Sequence, residues 1–117
     1  MNALRQIVDE TVPMIWGNTS PKPNIIICQN SADLVRSATE LGDGNVVLSQ
    51  AKLTNAYWST GGSQEKPTIE IFFNWETIKR PEHLLTFEKI EGIVIHELAE
   101  AKVGLEETLA VQAQIIM

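Results

Sequence analysis

A chain of 117 residues, 44% hydrophobic and 21% charged, has the size and balance of one globular domain with a modest core, taken here as residues 1–117. No apolar run approaches the roughly 18 residues that span a bilayer, and the polar start "MNALRQIVDE" lacks the apolar centre of a signal peptide. The net charge of −6, with no basic cluster, argues against nucleic acid as a partner, and the lone Cys28 points to a reducing, cytoplasmic setting.

In chain order, Leu4, Ile7, Val8, Val12, Ile15 and Trp16 recur at helical spacing, with Pro13 placed to end or kink that helix. "GNTSPKP" is a loop. Asn24–Gln29 reads as a buried strand because its aliphatics are continuous and β-branched, and Cys28 within it reads as a buried, inert thiol. Asn30 or Ser31 can cap a second helix running to Leu41, stopped by "GDGN". Asn45–Ser49 has the pattern of a short strand. Thr54–Thr60 and Thr68–Phe73 follow as an irregular hairpin around "GGSQEKP". The alternation of Ile69, Ile71 and Phe73 with Glu70 and Phe72 fits an edge or half-exposed strand. Pro81 and Glu82 are start signals for a long helix with a stripe of Phe87, Ile90, Val94, Leu98, Ala101 and Leu105. Gly104 is placed to end it, and "LEETLAVQAQIIM" to form a last helix whose Leu109, Ala113 and Ile116 could pair with a partner, a second copy included.

The segment Glu82–Glu107 holds seven Glu against two Lys, nearly the whole charge imbalance, which suits cation binding or a solvated helix face. Inside it stands "IVIHELAE". His96 and Glu100 are four apart, so in a helix an imidazole and a carboxylate share one face and can reach one ion. Glu97 is rotated by about 100° from His96, where a general base can take a proton from metal-bound water. His83 lies 13 positions before His96, near 20 Å along a continuous helix, so the two cannot share an ion. Trp58 reads as a packing residue, and Tyr57 as either packing or an oxyanion-stabilising donor.

The stretch resembles the active helix of zincin metallopeptidases, whose signature is H-E-x-x-H after an apolar run. The resemblance assigns His96 as first ligand and Glu97 as general base; Glu100 stands where the family has its second His. Metzincin spacing points to Glu106 as third ligand. Gluzincins and ImmA/IrrE-type peptidases, with a Glu leading a following helix, point to Glu107. The family implies a small zincin-like α+β fold, with a mostly antiparallel sheet on the active helix and the N-terminal helices on the other side. It implies a divalent metal, zinc or else Mn, Fe or Ni for so oxygen-rich a shell. It also implies metal-activated hydrolysis of a peptide or protein substrate, bound by strand addition at Ile69, Glu70 and Ile71. The alternative is a catalytically inactive zincin-like fold that binds metal or another protein, a homodimer among the assemblies. No membrane partner is expected.

Overall fold

The structure, a computed structural model, describes residues 2–42, 44–63, 65–80 and 86–116. Three strands, β1 (Asn24–Cys28), β2 (Ala56–Gly62) and β3 (Pro67–Asn74), form one mixed sheet in the order β1-β3-β2. β1 runs parallel to β3 with Ile25 opposite Ile71. β2 runs antiparallel to β3 with Trp58 opposite the same Ile71. The helices described are α1 (Asn2–Trp16), α2 (Ser31–Glu40), the single turns α3 (Leu48–Ala51) and α4 (Trp75–Ile78), and the 30-residue α5 (Phe87–Ile116).

Strand alternation divides the core into two layers. Ile69, Ile71 and Phe73 face α1 and α5, where Leu4, Ile7 and Val8 meet Ile90, Val94, Leu98, Ala101 and Leu105. Phe72 faces the other way and is covered by Leu34 and Ala38 of α2, Ala51 of α3, Cys28 and Val46. The molecule is therefore an α+β domain with a three-stranded mixed sheet and a long C-terminal helix. The expected mostly antiparallel sheet is replaced by one parallel and one antiparallel pair. α1 lies on the same side of the sheet as α5, and among the described residues α2 and α3 are the helices that cover the opposite side.

Several local expectations hold for the physical reasons given. Asn30 caps α2, its side chain accepting a hydrogen bond from the Asp33 N–H at 2.9 Å. Gly42 follows that helix at φ +93°, a conformation that favours glycine. Cys28 is buried, and desolvation pushes its thiol up to about 11, partly opposed by a hydrogen bond with Ser37. No described helix is long and apolar enough to cross a membrane.

Other expectations are corrected. α1 does not end at Pro13 but runs on to Trp16, with Pro13 exposed and the Gly17 N–H reaching the Pro13 carbonyl at 2.9 Å. β1 is an edge strand, with Ile25, Ile26 and Ile27 half-buried. Asn45–Ser49 is not a strand; Val47 leads into α3 instead. β3 is the central strand, paired on both sides from Glu70 to Phe73, so strand addition at Glu70 and Ile71 has no open edge. Ile69 and Ile71 are each 1% exposed beneath the helices. α5 begins at Phe87, not Pro81. Thr86 caps it, its hydroxyl accepting from the Lys89 N–H at 3.2 Å. Pro81, Glu82 and His83 lie outside the described residues. Phe87, expected in the buried stripe, is 46% exposed. The expected last helix is the end of α5, and its Leu109 is half-buried against the core.

Gly104 does not end the helix. A Cβ at this position would lie 2.2 Å from the Trp58 ring, so the glycine admits the indole against the α5 backbone. Gly92, one face away, has open space around it. Gly92→Ala should therefore gain about 0.8–1 kcal/mol of helix propensity. Gly104→Ala makes the same gain but must displace the indole, at about 1–3 kcal/mol. Urea denaturation should place the Gly92 variant above the Gly104 variant by about 1–3 kcal/mol. Equal midpoints would contradict the packing of Trp58 on Gly104.

Candidate metal centre

α5 presents its polar groups from a fixed backing. Val94, Leu98 and Ala101 are each 0% exposed and hold one side of the helix against α1 and the sheet. The intervening positions are thereby turned outward. His96 and Glu100, one turn apart, bring His96 Nε2 to 3.0 Å from Glu100 Oε1, with side chains 68% and 57% exposed. Glu97 stands between them and the core and is half-buried. Burial raises its carboxyl above the ordinary range, and the Glu100 charge raises it further against the opposing effect of His96.

One donor atom from each of His96, Glu97 and Glu100 lies within 4.8 Å of the others, and this cluster could hold a metal ion. Donors around a tetrahedral zinc, at about 2.0–2.2 Å from the metal, are about 3.4 Å apart. The His96–Glu100 pair, at 3.0 Å, is about 0.4 Å closer than that spacing. The third donor, from the half-buried Glu97, lies within 4.8 Å of both, so the set is compatible with such an ion.

Two residues expected to complete the shell do not join it. The helix is continuous through Gly104, so Glu106 and Glu107 lie about 15 Å and about 16.5 Å along the axis from His96. Glu106 meets Lys102 instead, at 3.9 Å. Glu107 lines a groove of ≈ 490 Å³ with Trp58, His96, Ala99, Glu100, Val103 and Gly104, close to the cluster but outside it. The residues expected to bind substrate are also elsewhere. Glu70 opens onto a hollow with Ser59, Thr60 and Thr68, on the Phe72 side of the sheet. Tyr57 is on that side too, its ring 6.1 Å from Phe72, so it is no oxyanion donor for the His96 cluster.

No protein-family model, curated protein or solved structure matches the chain. The site therefore stands on its own geometry. Trp58, expected only to pack, sits against Gly104. The one available signal was a glycine inside an otherwise unbroken helical stripe, which marks a close approach as readily as a helix end.

Proposed function

We propose that the protein is a zincin-like metal-binding module whose α5 holds one divalent ion through His96, Glu97 and Glu100. The observation that carries this reading is the convergence of the three donors within 4.8 Å on consecutive turns of a rigidly backed helix. One imidazole and two carboxylates suit zinc, and they also suit Mn, Fe or Ni. Equilibrium dialysis of untagged protein against Zn²⁺ should give one ion per chain. His96→Ala and Glu100→Gln should each weaken uptake at least about tenfold. At a zinc concentration about 100 times Kd, binding adds about 2.7 kcal/mol of stability, or roughly 10 °C in Tm for a domain of this size. No uptake, or uptake that both variants leave unchanged, would remove the site.

A second reading is metal-dependent peptide hydrolysis, and the environment of Glu97 favours it. A half-buried carboxylate with raised proton affinity, next to two ligands, is placed to accept a proton from water. A bound zinc would supply the other part of that chemistry by making the water acidic. Glu97 would then orient the water and hold the proton until it passes to the leaving amine. In this role Glu97 does not ligate, and the chain supplies two ligands where catalytic zinc sites usually have three; metal binding therefore stands as the first reading. Glu97→Gln separates the two. Zinc uptake retained, with loss of hydrolysis of an unfolded substrate such as reduced casein, assigns the base. Zinc uptake lost assigns the ligand.

A further inference from the structure

Beside the His96 cluster, Trp58 and Glu107 line one groove, and neither belongs to the three-donor set. Two adjoining hollows of ≈ 490 Å³ and ≈ 420 Å³ share Trp58, Gly104 and Glu107, and so form one groove along α5 from His96 to Gln112. Its floor is the indole, set against the bare backbone of Gly104. Val103 and Val111 stand along it, 55% and 54% exposed. The charge is one-sided: α5 carries six Glu against two Lys. Lys102 is engaged with Glu106, and among the described residues no cation pairs with Glu107.

We propose that this groove docks an extended segment of a partner protein bearing a Lys or Arg among apolar residues. The cationic side chain stacks on the Trp58 indole and places its charge on the Glu107 carboxylate, while its apolar neighbours rest on Val103 and Val111. The charge complementarity selects this occupant. An indole attracts a cation to its ring, a carboxylate pairs with its charged end, and the acidic helix steers basic segments toward the groove. The sixteen steps from His96 to Gln112 span about 24 Å of helix, the length of about seven residues of extended chain. The proposal does not rest on the metal reading, since Glu107 is outside the cluster and docking requires no ion.

The test uses the full chain stripped of metal with a chelator and presented to a phage-displayed library of random peptides. Enriched peptides should carry Lys or Arg next to Leu, Ile, Val or Phe. Synthetic copies should bind about tenfold more weakly to Glu107→Gln, the loss of one charge-assisted contact, and more weakly to Trp58→Leu. Their binding should also fall as salt rises. Glu107 is exposed, so Glu107→Gln leaves the fold intact even if Trp58→Leu does not. No enrichment, enrichment of peptides without cations, or equal binding to wild type and Glu107→Gln would each overturn the proposal.

Discussion

Leu98→Ala lowers the free energy of unfolding by about 2–5 kcal/mol. Leu98 is 0% exposed and belongs to the layer between α5, α1 and the inner face of the sheet. Removing its branched end leaves a cavity where Ile71 and Phe73 below and the α1 side chains beside it are already close-packed. A domain of this size has about 5–15 kcal/mol of total stability, so the loss is a large share of it. The effect reaches the candidate site because Leu98 follows Glu97 and anchors the turn that carries the cluster. Denaturant midpoints measure it. Leu53→Ala is the control: Leu53 is 80% exposed, and its truncation should change stability by no more than about 0.5 kcal/mol. Equal losses for the two variants would contradict the placement of the core.

Asn74→Ala costs about 2–4 kcal/mol, combining a lost helix cap with a buried carbonyl left unpaired. Asn74 is 0% exposed at the end of β3. Its amide donates to Ser31 Oγ at 3.0 Å and to the Ala51 carbonyl at 2.9 Å, and its side-chain oxygen accepts the Glu76 N–H at 3.1 Å. One side chain thus ties the end of β3 to the start of α2, to α3 and to α4. Ser31 closes the clip, its hydroxyl and its N–H donating to the same oxygen of Glu76 at 2.6 Å and 3.1 Å. Those bonds hold the Glu76 carboxyl below its ordinary range. A carboxylate with a depressed folded-state pKa contributes stability above its unfolded pKa and loses it as the pH falls through the folded value. Wild-type midpoints should therefore fall as acid protonates Glu76, and the Asn74 variant is compared with wild type near neutrality. A loss below about 1 kcal/mol would mean that water replaces the clip.

Elements governed by local chemistry were legible in the sequence. α2 is bounded by Asn30 and Gly42 because a side-chain cap and a left-handed glycine act over three or four residues. The stripe from Ile90 to Leu105 was legible because one buried face repeats at the helical period. Features decided by distant partners were not. The central place of β3 depends on a parallel partner more than forty positions earlier in the chain (Ile25 opposite Ile71) and on a second layer that buries Phe72. The turn of α3 stands where two adjacent valines suggest a strand. Its Ala51 carbonyl is held by Asn74, which no local pattern reveals. Gly104 looked like a helix end because the indole that needs its missing side chain comes from β2. The expected ligands depend on the same helix end, since Glu106 and Glu107 could return to His96 only if the chain turned at Gly104. With the helix continuous, the cluster that could hold an ion contracts to His96, Glu97 and Glu100.

The central claim is that these three side chains bind one ion directly. Zinc K-edge X-ray absorption on untagged protein loaded with one equivalent of Zn²⁺ tests it most directly. The predicted spectrum shows a single imidazole and carboxylate oxygens in the first shell at about 2.0–2.2 Å, and His96→Ala removes the imidazole signal. A spectrum of hydrated zinc, or an imidazole signal that survives His96→Ala, would contradict the assignment.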